Sequence, residues 1–270
     1  MTKEALYQQI LAKQSYLCVG LDSDQEKIPA RFHSEANPVL TFNKFIIDQT
    51  ADFCVAYKIN TAFYESNGAA GWETMAATLD YIPQNIYTIA DAKRGDIGNT
   101  VHQYAKAFFK TLDFDSITVA PYMGKDSASP FLEYSNKWVI LLALTSNPSS
   151  ADFQFLNINQ DQTKLFEQVL KTSQEWSTDQ NMMYVVGATQ ADMLQKIRNI
   201  VPDHFLLVPG VGAQGGSLQE VSQYGMNNQV GLLVNSSRGI IFSENPKESA
   251  RKLQQEMAQY LENYHKNKAS

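Results

Sequence analysis

Eight short apolar runs punctuate the chain, and between them the apolar residues switch to helical spacing. The runs cover residues 16–22, 55–60, 86–93, 116–121, 138–146, 183–187, 205–209 and 231–235, and are rich in Val, Ile, Leu and Tyr. Within each, apolar residues follow one another almost without a break, which means burial on both faces and points to parallel strands. Their starts lie roughly 20 to 45 residues apart. The intervening stretches, among them 41–50, 100–110, 164–171 and 193–198, repeat apolar residues with the period of a helix. An amphipathic segment near residues 3–14 precedes the first run, and residues 246–263 read as a closing helix. Eight strand–helix units in about 220 residues predict a closed sheet rather than an open one. The expected fold is a single (β/α)8 TIM barrel with an N-terminal helix and a C-terminal closing helix. One domain spanning residues 1–270 is the economical reading, since no linker, short-period repeat or low-complexity tract divides the chain. The longest excursion, residues 147–181, opens with Asn147-Pro148-Ser149-Ser150; Phe153, Phe155 and Leu156 are expected to anchor it as a lid or a packed extension.

Composition narrows the class without naming a chemistry. With 270 residues and 44% apolar content, the chain can bury a barrel-sized core. No apolar run approaches the roughly 20 residues of a membrane-spanning helix, and the first residues lack a signal peptide's apolar stretch, so a cytoplasmic location and no membrane partner are expected. Cys18 and Cys54 fall in strand-like runs with no metal-ligand spacing and read as core thiols. The histidines, His33, His102, His204 and His265, are scattered and suggest neither a triad nor a zinc site. A formal charge of −6 without a basic cluster argues against nucleic acid.

Candidate chemistry collects where a barrel places it, at the carboxyl ends of the strands. The first run ends in Asp22, the second carries Lys58, and the third ends in Asp91-Ala-Lys93-Arg94-Gly-Asp96-Ile97. Asp91 and Lys93 share a strand face, and Asp96 lies past the strand end, so three charges are expected to converge there. A solvated strand-to-helix turn is the bland alternative. Lys58 interrupts an apolar run and is costly to bury unpaired, which implicates Asp22 and Asp91 as its partners, in a catalytic set or a merely structural ion-pair network. The fifth run ends in Thr145-Ser146. After the seventh, Val208-Pro209-Gly210-Val211-Gly212-Ala213-Gln214-Gly215-Gly216 brings backbone N–H groups within reach of a ligand, and Ser237-Arg238-Gly239 follows the eighth. Loops after strands seven and eight are the usual phosphate site of this barrel, with Arg238 able to grip phosphate oxygens, although a flexible glycine-rich turn would look alike.

These residues together resemble the orotidine 5'-phosphate decarboxylase family, over roughly residues 16–243. Its signature of an acid, any residue, a lysine, two residues, an acid and an isoleucine is met by Asp91, Lys93, Asp96 and Ile97. Asp22 and Lys58 match the acid of strand one and the lysine of strand two. Ser146 matches the family's pyrimidine-contacting serine, Gln214 and Arg238 its phosphate ligands, and Thr100 also has a counterpart. The resemblance implies cofactor-free and metal-free loss of CO2 from C6 of orotidine 5'-phosphate. Catalytic roles would fall to Lys93, Asp91, Asp96 and Lys58, with Lys93 as proton donor. Asp22, Ile97, Thr100, Ser146, Pro209, Gln214, Ser237 and Arg238 would bind substrate. It further implies a homodimer in which Asp96 and Thr100 reach the neighbouring site. Two alternatives stand beside it: a related magnesium-dependent sugar-phosphate decarboxylase or hexulose-phosphate synthase, which carries a metal-binding glutamate where this chain has Lys58, and a noncatalytic phosphate-binding barrel.

Overall fold

The computed structural model describes residues 1–158, 160, 162–211 and 215–269. All eight apolar runs are strands: β1 (Leu17–Gly20), β2 (Ala56–Asn60), β3 (Tyr87–Arg94), β4 (Ser116–Val119), β5 (Trp138–Leu144), β6 (Met182–Val186), β7 (Phe205–Pro209) and β8 (Leu232–Ser236). Each pairs in parallel with the next, and β8 returns to β1, closing the barrel. The expected (β/α)8 architecture is therefore the one observed.

Both faces of the strands are buried, as the unbroken apolar runs require. Around the barrel, tyrosine hydroxyls tie the sheet to the helical layer. Tyr57 bonds Thr50 of the helix Pro38–Thr50 at 2.7 Å, Tyr184 bonds Ser173 of Leu165–Ser173 at 2.9 Å, and Tyr16 bonds Ser222 of Leu218–Gly225 at 2.6 Å. Each ring fills core volume while its hydroxyl finds a partner, so burial leaves no orphaned polar group there.

The helix Lys3–Lys13 is capped by Thr2, whose hydroxyl accepts from Ala5 N, and buries Leu6 and Ile10. Lys3 pairs with Asp179 just before β6, and the Trp138 indole at the start of β5 donates to Met1 O at 2.8 Å. These contacts lay the helix across the amino-terminal end of the barrel, opposite the strand ends that carry the candidate chemistry. The closing helix runs longer than expected, Pro246–Ala269; it buries Ala250, Met257 and Leu261, and Gln254 donates to Lys13 O at 3.1 Å.

The excursion at 147–181 is partly packed. It begins as a 3-10 turn, Pro148–Asp152, and Gln154 bonds both the Thr145 backbone N–H and its hydroxyl at 2.8 Å, tying the excursion to the end of β5. Of the three expected apolar anchors only Phe155 serves, against Phe166 at 5.8 Å between ring centroids. Phe153 and Leu156 are exposed, because the short turn presents them to solvent rather than to the helix behind it.

Candidate active site

A cavity of about 510 Å3 opens at the carboxyl ends of the strands. Asp22, Lys58, Asp91, Lys93, Ser146, Pro209, Ser237 and Arg238 all line it, so eight of the twelve candidates drawn from the sequence meet in one place. Strand register explains much of this. Gly20 of β1 lies opposite Lys58 of β2, and Asn60 of β2 opposite Asp91 of β3, which sets the polar residues of three neighbouring strands at one height.

Lys58 is 4% exposed, and its ammonium lies 3.1 Å from Asp22 Oδ1 and 3.0 Å from Asp91 Oδ2. Asp91 in turn receives the Lys93 ammonium on Oδ1 at 2.5 Å. Charges thus alternate across the pocket: acid, base, acid, base. Burial pulls the Lys58 pKa down, but the attraction of Asp91 and Asp22 outweighs it and leaves the group above its usual value. Burial raises Asp91 as well; Lys58 and Lys93 reverse that and hold its carboxyl well below the usual carboxylate range. Both ions stay charged where an isolated one would not. Cys18, buried beneath them, is pushed up by burial and behaves as the expected core thiol, as does Cys54.

The geometry at Lys93 is unusual. Its φ is 46°, in the left-handed region, and the β3–β4 register slips between Ala90 and Arg94. Ala90 pairs with Ile117 and Arg94 with Val119, so Asp91, Ala92 and Lys93 bulge opposite the single residue Thr118. The Thr118 hydroxyl accepts from Lys93 N at 2.8 Å and donates to Asp91 Oδ1 at 3.1 Å.

At the other side of the mouth, β8 comes so close to β1 that a Cβ on Gly20 would lie 2.8 Å from Ser237 Cβ; only glycine fits. Ser237 uses the approach to donate to Gly20 O at 3.0 Å. Arg238 follows, exposed and without an ion pair among the described residues. Beyond Pro209 the chain turns at Gly210, whose φ of 99° demands glycine, and a bridge between Val211 and Gly216 pinches the loop at its neck. Gln214 lies outside the described residues.

Three candidates stand apart from the cavity. Asp96, Ile97 and Thr100 do not line it, and Asp96 Oδ1 accepts from the next backbone amide, Ile97 N, at 2.8 Å. The expected convergence of three charges within one chain is thus corrected to two, Asp91 and Lys93. Asp96 lies past the end of β3, in the segment before the helix Gly98–Lys106, and is not among the residues lining the pocket. Arg94 itself is structural, bound to Glu65 and lying over the Tyr104 and Phe108 rings.

Sequence reading passed over Thr118, Asn60, Asn235 and Lys27, all of which line the cavity. Parity held a signal for one of them: Asn60 is two residues past Lys58 on the same face, whereas the place of Thr118 follows from the slipped β3–β4 register. Lys27, paired with Asp24 at 2.5 Å on the loop after β1, gave none.

Ionised groups gathered at the strand ends of a closed (β/α)8 barrel are where enzymes of the barrel class carry their chemistry. Residues 15–253 match the Orotidine 5'-phosphate decarboxylase / HUMPS family, and the chain belongs to it. A Flavobacterium johnsoniae protein named orotidine 5'-phosphate decarboxylase is 58% identical over 97% of this chain and 99% of its own length. One of the same name from Bacteroides fragilis is 56% identical over 97% and 98%. Among solved structures, the Leishmania donovani OMP decarboxylase is 36% identical with a TM-score of 0.86, covering 96% of this chain and 99% of that one.

Proposed function

We propose that this chain decarboxylates orotidine 5'-phosphate to UMP and CO2, the activity its relatives are named for, and that the whole chain serves as one catalytic barrel. The observation that carries the reading of the site is the alternation Asp22, Lys58, Asp91, Lys93 at the cavity mouth. When the C6–carboxylate bond breaks, its electron pair stays on C6 in an orbital the pyrimidine ring cannot delocalise, so fixed charge must stabilise it. The Lys93 ammonium attracts that pair and passes one proton to C6, completing UMP; the neutral amine regains its proton from solvent. Asp91 lies beside the departing carboxylate and disfavours the bound substrate more than the transition state. Two unit charges 4 Å apart interact by roughly 4 kcal/mol at an effective dielectric near 20, enough to matter to the rate. Lys58 keeps Asp91 ionised and in place, and Asp22 anchors Lys58.

Binding falls to the remaining candidates. Ser146 contacts the pyrimidine, Asp22 the ribose side, and Pro209, Gln214, Ser237 and Arg238 the phosphate. No metal or organic cofactor takes part: a divalent cation bound by Asp22 and Asp91 would have to displace Lys58, and metal-using relatives hold a glutamate at that position. Asp96, Ile97 and Thr100 complete the site of a second copy in a homodimer. In support, they do not line their own pocket, Ile97 is 56% exposed, and the exposed Met123 lies beside Gly95, whose added Cβ would be 3.5 Å from it. No helix among the described residues is long and apolar enough to cross a membrane. A biosynthetic role is in keeping with work in the cytoplasm, and a formal charge of −6 without a basic cluster supports a reading without nucleic acid.

Purified, chelator-treated protein should consume orotidine 5'-phosphate, followed by pyrimidine absorbance, at the untreated rate. Lys93→Ala should abolish turnover while changing UMP affinity much less. Activity lost to the chelator and restored by magnesium would overturn the metal-free reading; near-normal turnover of Lys93→Ala would remove its role.

A further inference from the structure

We propose that Thr118 is a positioning residue for the decarboxylation, its hydroxyl fixing the Lys93 backbone and the Asp91 carboxylate to one another; this rests on the functional reading above. A threonine hydroxyl has one proton to donate and lone pairs to accept with. The Lys93 N–H is a donor only, and it points at Thr118 Oγ1 at 2.8 Å. The hydroxyl proton is therefore free for Asp91 Oδ1, 3.1 Å away, and an ionised carboxylate can only accept it. Every hydrogen in this triangle has one possible direction. Thr118 is 1% exposed, so water does not compete for either bond.

The bulge makes the hydroxyl necessary. In a regular β3–β4 ladder the Lys93 N–H would find a carbonyl of the neighbouring strand. Here three residues of β3 stand opposite Thr118 alone, and Lys93 takes a φ of 46° that a side-chain-bearing residue rarely adopts. Thr118 supplies from its side chain the acceptor that the slipped ladder no longer offers. Its branched Cβ restricts χ1, so the oxygen stays where both partners need it. The third edge of the triangle is the Lys93 ammonium on the same Asp91 oxygen, at 2.5 Å. Thr118 thus reaches the proton donor through its backbone and the ground-state-destabilising carboxylate through its side chain, touching neither substrate nor product in this role.

Thr118→Val keeps the shape and removes both bonds, whereas Thr118→Ser keeps the hydroxyl. With orotidine 5'-phosphate, Thr118→Val should lower kcat by roughly 10- to 100-fold, the scale of hydrogen bonds to charged groups. KM and UMP affinity should stay within about 3-fold, because the lost bonds aim the reacting groups rather than hold the ligand. Thr118→Ser should recover kcat to within about 5-fold of wild type. A purely structural role would lower the melting temperature and leave kcat per folded molecule alone. Unchanged kcat in Thr118→Val, a loss confined to KM, or a serine variant no better than the valine one would each overturn the proposal. If Thr118→Val does not fold, Thr118→Ala against Thr118→Ser gives the same contrast with the same refuting results. Wild-type protein is assayed first: if it does not turn over orotidine 5'-phosphate, it is the functional reading that fails.

Discussion

Lys58→Met replaces the buried ammonium with a neutral side chain of similar length and leaves two carboxylates facing the space it filled. In the native protein the Lys58 side chain is 5% exposed, while Asp22 and Asp91 are 20% and 12% exposed. Asp91 keeps Lys93 and Thr118 as partners; Asp22 keeps no other ion pair among the described residues. Removing one member of a buried ion pair costs about 3–5 kcal/mol, and the partial access of Asp22 to water favours the lower end. At roughly 2–4 °C per kcal/mol for a domain of this size, a loss of about 3 kcal/mol lowers Tm by about 6–12 °C. The deficit should depend on pH. Asp91 is depressed in the folded state, so its stabilisation is present above the unfolded value of about 3.9 and is lost as pH falls through the folded value. With Lys58 gone that depression is smaller, so the gap between variant and wild type should be widest near neutrality and narrow as pH falls below about 4. Adding Asp91→Asn should restore part of the lost Tm by removing one of the uncompensated charges. Calorimetry of the three proteins across pH makes the measurement. A shift under about 2 °C, or a gap that does not change with pH, would refute the reasoning.

Arg238→Ala should lower kcat/KM for orotidine 5'-phosphate by about 10- to 150-fold, the range for one charge-assisted phosphate contact, and should matter little with phosphate-free orotidine; equal losses on both would make Arg238 structural. Mixing Lys93→Ala with Asp96→Ala protein should recover activity toward about a quarter of wild type, since half the dimers are mixed and each has one whole site; no recovery despite demonstrated subunit exchange would place Asp96 in its own chain's chemistry. His204 is 6% exposed, with neither ring nitrogen bonded among the described residues, and burial lowers its pKa to about 4. The folded state favours the neutral ring, so this contribution is intact above the unfolded value of about 6.5 and is lost as pH falls through about 4. His204→Phe should flatten the decline in Tm between pH 7 and pH 5, and a decline as steep as wild type's would exclude His204 as its source.

The strands were legible because burial on both faces writes an uninterrupted apolar run, and their ends because a polar residue, a proline or a glycine stops each run. The helix Gly68–Tyr81 was not singled out: its buried face includes Gly71, Thr74 and Thr78 beside Met75 and Leu79, which blurs the apolar stripe. Lys58 was legible as a site residue since a lysine in an apolar strand needs a counter-ion, and its two partners followed from the strand ends. Thr118 was not, because its part depends on a register slip between β3 and β4 that neither strand's sequence announces. Asp96 misled in the opposite direction. Closeness to Lys93 along the chain suggested a shared pocket, and Asp96, past the end of β3, does not line it. Phe153 and Leu156 likewise read as anchors from hydrophobicity alone, yet a short turn can leave such residues in water.

The alternating row at the barrel mouth also constrains how such a site can diverge. Asp22, Lys58, Asp91 and Lys93 together are neutral, and each ion is held by its neighbours across β1, β2 and β3. Reversing the sign of Lys58 alone would leave the four positions with a charge of −2 and three carboxylates in contact. That is the charge a divalent cation cancels, and three oxygen donors are the kind of ligand set it accepts. On this charge count a carboxylate at position 58 would be better tolerated with a divalent cation bound than without one. A library that varies position 58 should therefore be screened with magnesium as well as without it, since a screen lacking the ion would undervalue such variants.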